Sequence, residues 1–319
     1  MSKHDCKWAI LGLLAAAFLT GCGSDDGADE PKARSFALAF ASVADGKSVG
    51  CKDTIQGLGP DGADSVGISD LRFYVSNLKF WDSSKKEVQI TLDENEFQYA
   101  SAAGQVSLVD PTGNTEGTCA GNAIAFSEGT QRTNYSITGT AVVDRVKSIS
   151  FDVGVPQAVM QDVIATHTPE GAPSPLAELQ WTWASGYRHF VLNFAVTDGD
   201  GKGGEGYLHV GSRNCGPADG LALEDRDRCD FVNNPQVALS DFNLDKNVVT
   251  VDVGKLLSGL DFVSPVYDLD TFEVIGEGPG VECHSSPMQP DCPIVFPHFG
   301  LDIDTGTASP TQNVVFGLE

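Results

Sequence analysis

Short stretches of alternating apolar and polar residues, cut every few positions by Gly, Asn or Asp, recur along most of this 319-residue chain. "SFALAF", "RFYVSNLKFW", "KEVQITL", "YSITGTAVV", "KSISFDVGV", "HFVLNFAV", "YLHVGS", "PQVALSDF" and "NVVTVDV" all fit half-buried strands, whose side chains point to opposite faces with a period of two. Helical patterning is confined to Gln157–Ile164 and Gly254–Leu260, each about two turns long. Such a chain must bury its apolar faces by stacking sheet on sheet. The expected fold is therefore all-β: a single-domain β-sandwich with Greek-key-like connections, few short helices and disulfide-stapled loops. No internal repeat and no long hydrophilic linker interrupts residues 35–319, which read as one domain.

The N-terminus sets the expected compartment. Lys3 and Lys7 precede an apolar run from Trp8 to Leu19, the core of a signal peptide and too short to span a bilayer. The run ends in Leu19-Thr20-Gly21-Cys22, the lipobox pattern, in which the Cys22 sulfur is acylated and the chain is cut just before it. Residues 22–34 are small, polar and Pro-containing, the composition of a flexible tether. The expectation is a lipoprotein on the periplasmic side of a bacterial membrane, the outer one by preference, anchored rather than spanning. Losing Lys3, Lys7 and Asp5 takes the formal charge from −24 to −25. A surface this acidic repels phosphate backbones and argues against a nucleic-acid partner.

Eight cysteines are present, of which Cys6 leaves with the leader and Cys22 carries lipid. Cys51, Cys119, Cys215, Cys229, Cys283 and Cys292 remain, an even number in an oxidising compartment and hence three disulfides. Cys283 and Cys292 close a short loop containing two prolines and form the first expected pair.

Alternation locates the histidines. In "YRHFVLNFAV" the residues Phe190, Leu192, Phe194 and Val196 face the core, so Tyr187, His189 and Asn193 face the other way. "GYLHVGS" buries Leu208 and Val210 and turns Tyr207 and His209 outward. The Gly-rich "TDGDGKGGEG" between them predicts a hairpin. With the turn centred near Gly201 or Lys202, His209 falls opposite Asn193 or Ala195, on the face of His189 but roughly 14 Å from it at about 3.4 Å per residue. His189 and His209 are thus alternative ligands rather than partners. His167 lies in the Pro-rich loop "ATHTPEGAPSPL", and His284 and Met288 share the Cys283–Cys292 ring; an imidazole beside a thioether suits copper in its reduced form. His298, next to Phe299, reads as structural.

Calcium has a weaker claim. "DFNLDKNVVTVD" places Asp241, Asn243, Asp245 and Asp252 in an EF-hand register, but Lys246 stands where Gly is needed and a strand follows. No nucleophile elbow, P-loop, zincin motif or dinucleotide fingerprint occurs, so the chain is read as a non-enzyme.

Several stretches together resemble one family. "DLRFYVSNLKF", "FDVGVP", "SPLAELQWTWASGYRHF", "LHVGSRNC" and "CHSSPMQPDCPIVFPHFGL", in this order, are similar to the MbnP family, the metallo-mystery-pair four-Cys-motif proteins. The resemblance implies a periplasmic copper-binding protein encoded beside a di-haem, peroxidase-like partner that oxidises a tryptophan to kynurenine. It puts the W-x-W motif on Trp181 and Trp183, the motif histidine on His209, and the four cysteines on Cys215, Cys229, Cys283 and Cys292. Where many members carry Asn-His after G-V-P, this chain has Met160-Gln161. Either His167 takes that role through a longer loop, or Met160 contributes a thioether, or the site is altered. Copper would then sit on His209, with His167, Met160 and His189 as further candidates, beside a kynurenine made from Trp181 or Trp183. The rival reading is a non-catalytic surface module that presents Trp181, Trp183 and Tyr187 as a stacking platform for glycan or protein.

Overall fold

The computed structural model describes residues 31–113, 119, 132–183, 185–216, 228–268, 270–271 and 273–319. The leader, Cys22 and most of the tether lie outside them. Among the strands of the described residues, those that frame the two sheets are β1 (Arg34–Ala44), β2 (Asp64–Trp81), β3 (Ser136–Ala141), β4 (Ser148–Val153), β5 (Arg188–Thr197), β6 (Gly203–Gly211), β7 (Gln236–Leu239), β8 (Val249–Asp252), β9 (Val263–Tyr267), β10 (Val274–His284) and β11 (Phe316–Leu318). Three helices join them: α1 (Gln157–Thr166), α2 (Val253–Leu256) and α3 (Cys292–His298). One sheet runs β11-β8-β1-β3 and ends on the short strand Ile90–Leu92; the larger runs β7-β4-β2-β5-β6-β10-β9. Most pairs are antiparallel, but β1–β8 and β6–β10 are parallel, and the second of these builds the site.

The two sheets stack on an aromatic core, as the alternation requires. Phe36 and Phe40 of β1 meet Phe80, Phe73 and Phe151 of the large sheet edge-on, and Phe73 stacks on Phe190. This arrangement is the all-β sandwich expected from the sequence. The large sheet is also covered on its other face. There Tyr74 and Val191 pack with Val159, Met160 and Val163 of α1 and with Leu176, Leu179 and Tyr187 of the following segment. The segment that carries the tryptophans is thereby laid across the back of the sheet.

Three disulfides are formed: Cys51–Cys119, Cys215–Cys229 and Cys283–Cys292. The EF-hand register is taken up otherwise, since Asp245 pairs with Arg34 and Asp252 caps α2 by accepting from Lys255 N. No helix among the described residues is long and apolar enough to cross a membrane.

Candidate metal centre

The β5–β6 hairpin forms, with its turn centred on Asp200, before both predicted centres, Gly201 and Lys202. Asp198 Oδ1 accepts from Asp200 N and Lys202 N, and Gly201 takes the left-handed φ of 80° that the turn needs. A shift of one in the turn centre moves every partner by two, so His209 faces Val191 and Tyr207 faces Asn193. His209 Nε2 lies 2.7 Å from Asn193 Oδ1. An amide oxygen only accepts, so Nε2 carries the proton and Nδ1 presents its lone pair.

That lone pair points at a second imidazole. The parallel β6–β10 register sets His209 beside His284, and their Nδ1 atoms are 2.9 Å apart. The Cys283–Cys292 bridge, the Gln289 side chain accepting from His284 N at 2.6 Å, and Ser285 Oγ donating to His209 O hold the end of β10 in place. Burial drives the His209 pKa well below its ordinary value, helped by His284, Arg188 and Arg72; burial also lowers that of His284, against the opposing pull of Glu282. Both rings are neutral at pH 7 and available as ligands.

Trp181 roofs the pair, its ring centroid 5.9 Å from that of His209 and 6.4 Å from that of His284. The stretch around His209 explains why. Ser212 O accepts from Trp181 Nε1 at 3.0 Å, Ser212 Oγ accepts from Tyr187 N at 2.9 Å, and a Cβ at Gly211 would meet Trp181 Nε1 at 3.1 Å. The serine docks the tryptophan segment, the glycine leaves room for the indole, and Cys215 fastens the strand end to Cys229. From beneath, buried Arg72 holds Asp70 through two hydrogen bonds of 2.8 and 2.7 Å and reaches Glu178, three residues before Trp181, which Arg132 also contacts. Tyr207 stacks on His284 at 6.0 Å. The pair opens into a cavity of about 780 Å³ between β6, β9 and β10.

The remaining predicted residues lie elsewhere. His189 sits in a bulge of β5, where its Nδ1 accepts from Val155 N at 3.2 Å and its Nε2 lies 2.7 Å from Val232 O; both ring nitrogens are committed to backbone. Met160 is wholly buried in the core behind the large sheet. His167 is the C-cap of α1, its Nδ1 2.8 Å from Thr166 Oγ1, and does not line the cavity. Met288, in the same ring as His284, is 92 % exposed. Trp183 packs against the second core cluster rather than on the imidazoles. Tyr187 is 1 % exposed, so the three aromatics do not form an open stacking platform. His298 donates or accepts only within the structure, with Nδ1 3.1 Å from Leu256 O.

Two imidazole nitrogens 2.9 Å apart fit one metal ion: with metal–nitrogen bonds of about 2.0 Å they subtend an angle of roughly 90°. Among the described residues no group of three or more His, Cys, Asp and Glu converges on a common point.

The MbnP family model matches residues 33–272, a span that contains His209 and both tryptophans and stops short of His284. Among solved structures, MbnP from Methylosinus trichosporium superposes with a TM-score of 0.64 at 25% identity, over 90% of this chain and 98% of that one. No curated protein sequence matches the chain. With more than half its length under the family model and a solved member sharing its fold over nearly all of both chains, the protein belongs to the MbnP family.

Proposed function

We propose that this protein binds copper at His209 and His284, and that an oxidised Trp181 completes the site. The observation that carries the reading is the 2.9 Å approach of two neutral Nδ1 atoms beneath an indole. Imidazole nitrogens suit copper. A pair alone leaves the ion under-coordinated, and an intact indole offers a metal no good lone pair. Opening the ring to kynurenine turns the same side chain into an aniline nitrogen and carbonyl donors. Trp181, over the imidazoles, is the residue to modify; Trp183 has the core for company. His284 takes the place for which the sequence offered His167, Met160 or His189.

In this reading the protein is no enzyme but the substrate of one, a di-haem peroxidase-like partner encoded nearby. The bound copper would supply redox and ligand-exchange chemistry; the protein's part is to hold it. Asn193 fixes the His209 tautomer, Ser212 and Gly211 seat the tryptophan, and the apolar walls around Leu208 and Val281 keep water from the far side of the pair. A signal peptide and acylation at Cys22 would place the protein at the periplasmic side of the outer membrane.

Intact mass after co-expression with the partner tests the first half: a gain of about 4 Da on the peptide containing Trp181, and none on that residue in Trp181→Phe. Copper retained through dialysis by the modified protein, and lost from His209→Ala, tests the second. An unmodified peptide together with no retained copper would sink the reading.

A further inference from the structure

A second aromatic groove lies on the large sheet at a distance in sequence from the metal-binding segments. It has a volume of about 500 Å³ and is lined by Asn77, Lys79, Trp81, Asp152, Gln236 and Pro310. Its existence depends on an irregularity of β2. From Phe73 to Val75 the odd-numbered residues of β2 face the sandwich core, whereas after Asn77 the even-numbered Leu78 and Phe80 do. The pairing with β4 slips at this point, Asp152 lying opposite Ser76 and Ser150 opposite Lys79. Asn77 takes a left-handed φ of 51°, which a non-glycine residue adopts at a cost. Without this bulge Trp81 would point into the core. With it, Lys79 and Trp81 face out, and the Asn77 amide donates to Asp152 Oδ2 at 2.6 Å.

The indole is held as a platform. Trp81 Nε1 donates to Ser150 Oγ on the neighbouring strand at 3.0 Å, so its polar edge is satisfied within the protein. Lys79 Nζ stands over the ring at 5.9 Å from the centroid, near the limit of a cation–π contact, and both side chains line the groove. Around it stand a carboxylate, two carboxamides and one ammonium, donors and acceptors in the mixture that vicinal hydroxyls require.

We propose that this groove binds a neutral pyranose unit of a glycan. Its apolar C–H face would stack on Trp81 while its hydroxyls bond to Asp152, Asn77 and Gln236. A nucleobase would stack equally well, but a chain of net charge −24 with a single lysine here offers its phosphates nothing. The site is independent of the copper reading and shares no residue with it.

Protein labelled with ¹⁵N-tryptophan gives one indole resonance per tryptophan, that of Trp81 being identified by its loss in Trp81→Phe. Titration with cellotriose and with chitotriose should shift the Trp81 resonance saturably and leave that of Trp181 in place, and Trp81→Ala should weaken binding by roughly tenfold or more. A Trp81 resonance unmoved by either trimer at about 20 mM overturns the proposal. So do undiminished binding by Trp81→Ala and a preference for tri-galacturonate over both neutral trimers. Should Trp81→Ala lose the native Trp181 resonance, Gln236→Ala, a change at an exposed edge-strand position, carries the test: severalfold weaker binding supports the site, and unchanged binding overturns it.

Discussion

His189 and His209 are both buried imidazoles, only twenty residues separate them, and the sequence treats them alike. The structure does not. At His189 a backbone N–H donates to one ring nitrogen and a backbone carbonyl accepts from the other, so the ring works as a two-ended tie between β5 and the segments around Val155 and Val232. At His209 neither nitrogen meets backbone: Nε2 donates to the Asn193 side-chain oxygen, and Nδ1 meets the matching nitrogen of His284 at 2.9 Å. A buried histidine with both nitrogens spent on backbone belongs to the fold. One whose free lone pair meets only the Nδ1 of a second neutral imidazole, which can donate its own proton there, is positioned for an ion that would take that proton's place.

The contrast is most severely tested by removing imidazoles one at a time. His209→Ala and His284→Ala should each abolish copper retention in equilibrium dialysis of the modified protein, a loss of several orders of magnitude, since each deletes half of the protein's nitrogen donors. His189→Gln should retain full stoichiometry, because glutamine offers the same acceptor and donor to Val155 N and Val232 O. Copper loss in His189→Gln with an unaltered fold would erase the distinction.

Stability against pH separates them next. Burial pushes the His189 pKa down to about 4 from an ordinary 6.5. The unfolded chain therefore binds the proton first. The stability this ring contributes is complete above pH 6.5 and drains away as pH falls toward 4, by about 3 kcal/mol in all. Asp110 works in the opposite sense, for burial raises its carboxyl to about 6; its contribution is present at low pH and lost as pH rises through 6. The total slope is a sum, so the informative quantity is the difference between wild type and His189→Gln in chemical denaturation from pH 7 to pH 4. The variant should lose less stability over that window by about this amount.

Much of this architecture was legible in the sequence, and the illegible part has a common cause. Alternation revealed the strands, the hairpin of β5 and β6 and the outward face of His209, because all of these are local. The turn centre was misplaced by one or two residues because Asp198, not the glycines, organises the loop. Strand β9 and most of β10 were missed, since "VSPVY" and "VIGEGPG" are too rich in Pro and Gly to alternate cleanly. With β10 unseen, His284 could be noticed only as an occupant of a disulfide ring, and its meeting with His209 across 75 residues of chain depends on a parallel pairing that no local spacing encodes. The bulge at Asn77, which turns Trp81 outward, was hidden for a different reason: both phases of "FYVSNLKFW" offer large apolar residues, so alternation alone cannot choose between them.

Within the pair itself, the tie on His209 should matter less than the rings. Asn193→Leu removes the acceptor for His209 Nε2 and frees the imidazole to rotate or to exchange tautomers. Copper affinity should fall by about 10- to 100-fold, the usual cost of losing the partner that orients a ligand. Asn193→Asp keeps an acceptor and should restore most of it; equal losses in both variants would mean that bulk at this position, and not the hydrogen bond, is what the site needs.

The smallest effect belongs to Met288. Its thioether shares the loop between Cys283 and Cys292 with His284, and on composition alone the two would make a soft ligand pair for reduced copper. The side chain is 92 % exposed, however, on the rim of the ring, while His284 is drawn inward by the β6–β10 pairing and stacked on Tyr207. Met288→Leu should leave copper affinity and stoichiometry unchanged for the reduced and the oxidised ion alike. If it instead weakened binding of the reduced ion alone, the ring would have to fold over the cavity when metal is bound, and His284 would then bring its neighbour with it into the site.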